Sequence, residues 1–100
     1  MAIDSVLNLG KANTLTANGT YLLPVKGAKG APGGMSTIYA NGDFGGGTLT
    51  AYATPDGTDT NKFSIGTIAD DAFLDVTMKS AGIILILTGS TTPTLKVWGI

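Results

Sequence analysis

Five large aliphatic residues in succession, Ile83-Ile84-Leu85-Ile86-Leu87, stand between Gly82 and Gly89 with no charge among them. A strand wetted on one face alternates apolar with polar residues, so an unbroken run this short implies cover on both faces. It is too short for a membrane-spanning helix, which needs about 20 apolar residues. The isoleucines, the flanking glycines and a length under two helical turns favour a strand over a buried helix. Ile83–Leu87 is therefore read as a central strand. One face fills the core and the other meets a second sheet or another chain.

The remainder of the chain offers little charge to solvate an outer surface. Charged residues make up 13 % of the 100 residues and mean hydropathy is +0.28, where ordinary soluble domains carry about 25 % charge. A chain of this length makes one domain and buries roughly two-thirds of its extended surface, so it has one modest core. Scarce charge then points to assembly, with part of the surface covered by neighbours in the working state, the alternative being a surface solvated by the fifteen threonines and the other small polar residues. Residues 1–11 are read as an N-terminal extended arm and residues 12–100 as the β-domain.

Glycine, proline and Asx residues punctuate the chain throughout. Ile3, Ser5, Leu7 and Leu9 alternate with Asp4, Val6 and Asn8, as an arm or edge strand would. Lys11–Gly19 reads as a connection ending in the hairpin dipeptide Asn18-Gly19, followed by a strand over Thr20–Val25. Lys26–Gly34 holds glycines, a proline and no large apolar group, and is read as a surface loop. A strand over Met35–Ala40 is expected to end at Asn41-Gly42-Asp43. Thr48–Thr54 shows the cleanest alternation: Leu49, Ala51 and Ala53 fall on one face, with Phe63 or Trp98 expected to pack over the alanines. Pro55–Asn61 is a turn region, Lys62–Ile65 a short strand, and Gly66–Asp71 a turn. In Ala72–Met78, Leu74, Val76 and Met78 point inward and Phe73 outward. The closing strand, Thr94–Ile100, sends Leu95 and Val97 to the core and Lys96, Trp98 and Ile100 to the other side. Together these give an all-β, antiparallel β-sandwich or jelly-roll-like fold of about seven or eight short strands.

The side-chain inventory disfavours catalysis. His, Cys, Arg, Glu and Gln are all missing, which removes the usual general base, the thiolate and the bidentate anion clamp. Asp70 and Asp71 are adjacent, and neighbouring strand residues point to opposite faces, so they do not form a catalytic pair. Lys79-Ser80 sits at a turn with no burial to depress a lysine pKa. Asp56, Asp59 and Asn61 have a superficial likeness to a calcium loop, but the spacing, the terminal Glu and the flanking helices of an EF-hand are missing. No enzyme, cofactor or metal is expected. Six scattered lysines and a net charge of −1 give no basic face for nucleic acid. No membrane segment is read, and the first residues lack the basic start and apolar run of a secretory signal.

The run Gly45-Gly46-Gly47-Thr48-Leu49-Thr50-Ala51-Tyr52-Ala53-Thr54-Pro55-Asp56-Gly57, with Phe63 and Ile65-Gly66, and then Gly82–Thr88 leading through Gly89-Ser90-Thr91-Thr92-Pro93-Thr94-Leu95-Lys96-Val97-Trp98, resembles small β-sandwich structural proteins of tailed bacteriophages. These are capsid decoration, or cement, proteins. The resemblance covers roughly residues 34–100. It implies a non-enzymatic virion protein, made in the host cytoplasm and placed on the outer surface of the capsid. Its partners would be the major capsid protein and further copies of itself, with a homotrimer favoured. Bridging neighbouring capsid subunits would stabilise the head by burying surface across their junctions.

For that role the candidate interface residues are Ile3, Val6 and Leu7 of the arm, Lys29 of the glycine-rich loop, Ile84 and Ile86 on the outward side of the aliphatic run, and Trp98 and Ile100 of the closing strand. Two alternatives belong beside it. A carbohydrate- or host-surface-binding module could stack sugars on Tyr21, Tyr39, Tyr52 or Trp98. A tail, neck or fibre-base component of the virion would share the same composition.

Overall fold

The structure, a computed structural model, describes residues 3–8, 10–24, 37–76 and 82–99. Among them are nine strands and no helix: β1 (Ser5–Val6), β2 (Asn13–Leu15), β3 (Gly19–Pro24), β4 (Thr37–Asp43), β5 (Thr48–Thr54), β6 (Phe63–Ile68), β7 (Ala72–Asp75), β8 (Gly82–Thr88) and β9 (Thr94–Gly99). They build a five-stranded sheet in the order β1-β3-β8-β5-β6 and a four-stranded sheet in the order β2-β9-β4-β7. Inward side chains of both sheets share one apolar core. The all-β sandwich expected from the strand spacing is the architecture found. Every pairing is antiparallel except the short ladder between β1 and β3.

The chain changes sheet at every connection except β5 to β6, which make a hairpin with a bulge at Ala51/Tyr52. The core is therefore assembled from strands far apart in sequence, a topology associated with slow folding.

Strand β8 lies between β3 and β5, and both of its faces are covered as its composition requires. Ile83, Leu85 and Leu87 point into the core. Ile84 points to the outer side and is nevertheless 0 % exposed. Its registered neighbours are Leu22 on β3 and Tyr52 on β5. Ile86, one step along the same face between Thr20 and Thr50, is half-buried.

Ser5–Val6 form an edge strand beside β3. Asp4 N donates to Thr20 O at 2.8 Å, Thr20 N donates to the Asp4 carboxylate at 2.8 Å, and Leu7 N donates to Leu22 O at 2.7 Å. Leu7 is buried and Val6 points to solvent. The chain then turns into β2, where Asn13 is a buried polar knot. Its carbonyl oxygen accepts from Asn8 N at 2.8 Å, and its amide nitrogen donates to Asn8 O (3.0 Å), Lys11 O (3.0 Å) and Val97 O (3.2 Å). One side chain thus fastens the edge strand's exit to β9.

Several local expectations are corrected. Asn41-Gly42-Asp43 does not end its strand: β4 runs through it, paired with Thr94–Lys96 of β9. Gly42 makes this register possible, because its φ is +116° and a Cβ there would lie 2.6 Å from Thr94 O. Asn18-Gly19 is not a hairpin, since β2 and β3 belong to different sheets. The Asn18 amide instead clamps the loop before β9, donating to Ser90 O and accepting from Ser90 N, both at 2.9 Å. Strand β6 continues through Gly66 to Ile68, taking up the first half of the expected Gly66–Asp71 turn, so that only Ala69–Asp71 connects it to β7. Trp98 does not cover Ala51 and Ala53, because it stands on the outer face of the other sheet; Phe63 is registered opposite Ala53 but is left 66 % exposed.

Candidate binding surfaces

Period-two alternation sends Ile38 and Ala40 of β4, and Leu95 and Val97 of β9, into the core. The residues between them face outward. Tyr39 lies directly opposite Trp98 on one side and Phe73 of β7 on the other. Three aromatic residues therefore form a row across three adjacent strands of the four-stranded sheet. The Tyr39 and Phe73 rings are 6.0 Å apart at 45°, within the range of favourable aromatic pairing. Tyr39 is 43 % exposed, Phe73 60 %, and Trp98 is half-buried.

Beside this row is a hollow of about 460 Å³ lined by Tyr39, Ala40, Asn41, Asp71, Ala72 and Trp98. Asp71 is fixed at its rim, its Oδ1 accepting from Gly42 N at 3.0 Å. Two rings, an amide and one carboxylate line it, with no cation among the described residues of the lining.

A second surface is the flank formed by β6 and β7. Among the described residues each is the last strand of its sheet and pairs on one side only, leaving the backbone groups of its other side without a described strand partner. Phe63, at the start of β6, is exposed, and Ile65 and Leu74 are half-buried along the same flank.

The Asp56 loop uses its oxygens internally. Asp56 accepts from Thr58 Oγ1 at 2.7 Å, Asn61 Nδ2 at 2.7 Å, Thr58 N at 3.0 Å and Thr54 Oγ1 at 3.2 Å. The Thr58 hydroxyl, the Asn61 amide and the Thr58 N–H hold its pKa at about 2, against an ordinary 3.8. Because the folded value is depressed, this carboxylate stabilises the fold above the ordinary 3.8 and the contribution is lost as pH falls through about 2. Thermal melts of the native chain and of Asp56→Asn should converge across that acid window and separate above it. Curves that stay parallel throughout would show that the loop bonds do not matter to stability.

Asp59 is almost wholly buried and pairs with Lys62, whose Nζ is 3.0 Å from its Oδ1. The same ammonium lies 5.4 Å from the Tyr52 ring centroid, over the outer side of the five-stranded sheet. Among the described residues no three metal-ligating side chains come together.

The interface residues expected from sequence are scattered by the structure. Val6 is exposed at one edge and Ile3 half-buried beside it, whereas Leu7 is buried under the edge strand. Ile84 is enclosed by its own chain and Ile86 is half-covered. Trp98 does reach a surface hollow. Lys29 and Ile100, and the Lys26–Gly34 loop, lie outside the described residues. Of the four aromatics considered for sugar stacking, only Tyr39 and Trp98 meet. Tyr21 is buried with its hydroxyl donating to Ala17 O, and burial, with the Asp4 charge adding to it, pushes its phenol above the ordinary range. Tyr52 belongs to the opposite sheet.

Sequence reading missed Asn41 and Asp71 as partners of the aromatic row, and Phe63 as an exposed residue. Alternation around Ile38 and Ala40 already put Tyr39 outward, but the row needs the strand order. Comparison with protein-family models, with curated proteins and with solved structures found no match.

Proposed function

We propose that this chain is a non-enzymatic virion structural protein of the capsid-decoration kind, which bridges neighbouring capsid subunits on the outside of a phage head. The observation that supports the reading best is the β6–β7 flank, where two sheet edges with no strand partner among the described residues coincide with the exposed Phe63 in a chain with only 13 % charged residues. Open edges with apolar side chains are liabilities for a free monomer and assets for an assembled one. A neighbouring copy or a capsid subunit that added a strand to β6 would gain backbone hydrogen bonds and cover Phe63 together. The expected partners are the major capsid protein and other copies of this chain, as a trimer. The fold, rather than any reactive group, supplies the activity.

The experiment is binding of the purified chain to assembled, expanded phage heads and, separately, to unassembled capsid subunits. Saturable binding to the assembled heads is expected. Phe63→Ser should weaken it about tenfold or more, as removal of a central apolar anchor does. Its own melting temperature should hardly change, because Phe63 is mostly exposed. Equal occupancy by the variant would remove the flank from the interface.

A further inference from the structure

The hollow beside the aromatic row is lined by β4, by β9 and by Asp71-Ala72 at the start of β7, and lies by the outward-facing rings of the four-stranded sheet, whereas docking through the flank would use the open backbone edges of β6 and β7. We infer that it is a binding site for a neutral sugar residue of a glycan, with Trp98 and Tyr39 as the stacking surface and Asn41 and Asp71 as the hydroxyl-reading groups.

Four features select this ligand chemistry. The volume, about 460 Å³, is in the range of small-molecule sites. Trp98 and Tyr39 stand side by side on neighbouring strands of one sheet, which makes a platform. A cage for a quaternary ammonium group would need rings facing one another around the cation. A platform of this kind suits the flat C–H face of a pyranose ring.

The polar lining points the same way. Asp71 is held in place by the Gly42 N–H, and its backbone N–H is itself tied to Asp70 Oδ1 at 2.9 Å. A fixed carboxylate retains lone pairs for hydroxyl donors. Asn41 is exposed and offers both a donor and an acceptor. Among the described residues the lining contains no cation, so within that lining a phosphate, sulfate or acidic sugar would meet Asp71 without a counter-charge. Lys96, registered opposite Asn41, does not line the hollow. The row continues through Phe73, two interstrand spacings or about 10 Å from Trp98. That length accommodates two linked sugar rings, so an oligosaccharide should bind better than a monosaccharide.

Trp98 is the only tryptophan in the chain, and its emission reports directly on the hollow. The full chain is titrated with millimolar maltotriose, cellotriose, mannotriose, chitotriose and lactose, with choline chloride and sialyllactose as the cationic and acidic comparisons, and is applied to a broad glycan array. The expected result is a saturable emission change with at least one neutral oligosaccharide. Amide shifts should then cluster at Tyr39–Asn41, Asp71–Phe73 and Trp98, and Tyr39→Ala should weaken binding about tenfold. Asn41→Ala, at an exposed position, keeps the test decisive if Tyr39→Ala does not fold. No neutral glycan binding on the array or in solution overturns the assignment. So does binding that leaves these amides unmoved, or a preference for choline or sialyllactose. Capsid binding by the flank is measured separately, so failure of either leaves the other standing.

Discussion

Asn13→Asp should cost the isolated chain about 3–5 kcal/mol at neutral pH, a large share of the roughly 5–15 kcal/mol by which a domain of this kind is stable. The substitution is nearly isosteric, so its cost comes from hydrogen-bond polarity. The native amide nitrogen donates to three backbone carbonyls, on Asn8, Lys11 and Val97. A carboxylate in its place points negative oxygen at those acceptors while being shielded from water. Asn13→Ala should cost less, about 2–3 kcal/mol, because it leaves the carbonyls unpaired without adding charge. The Asp variant should recover part of its deficit in acid. Burial raises the introduced carboxyl's pKa, so protonation restores one donor and removes the repulsion. Urea midpoints at neutral and acidic pH read both effects. As a control, Thr14→Ala, at the exposed neighbouring position, should stay within about 0.5 kcal/mol. An Asp variant equally close to native would mean that the knot contributes nothing.

Ile84→Ala should destabilise the isolated chain by about 2–4 kcal/mol, the loss expected of a core residue, although its side chain points away from the core. The reason is local. Leu22 and Tyr52 flank it in register and its exposure is 0 %, so truncation leaves a cavity in the outer layer of the sheet. Phe73→Ser, on a residue left 60 % exposed, should be close to neutral. If Ile84→Ala cost under about 1 kcal/mol in the free chain yet weakened assembly, a partner would be the cover after all. The contrast separates two kinds of apolar residue that composition lumps together: those hidden by their own sheet and those left outside.

That distinction marks how far the sequence could be read. Alternation at Leu49, Ala51 and Ala53, and at Leu95 and Val97, identified inward faces correctly because period two is a property of each strand by itself. The two-sided burial of Ile83–Leu87 was legible for the same reason. Its consequence was not: the second face is covered by strands from positions 22 and 52, which no local pattern reveals. Asn13-Thr14-Leu15 is too short and too polar to announce a strand, and only its pairing with β9 makes it one. Gly42 looks like a turn residue until the close carbonyl of Thr94 is placed beside it. The aromatic row combines residues 39, 73 and 98, and the sheet order brings them together. Local chemistry was thus readable, whereas the surfaces that carry function depend on which strands become neighbours.

Amide hydrogen exchange compares the free chain with the same chain bound to expanded phage heads. If the β6–β7 flank is the docking surface, amides of Phe63–Ile68 and Ala72–Asp75 that face outward from the sheet edges will slow markedly on binding, while those of the central strand β8 will be protected to the same degree in both states. Failure to bind the heads, or protection that appears only on β1 and β2 and leaves β6 and β7 exchanging freely, would rule that flank out as the contact.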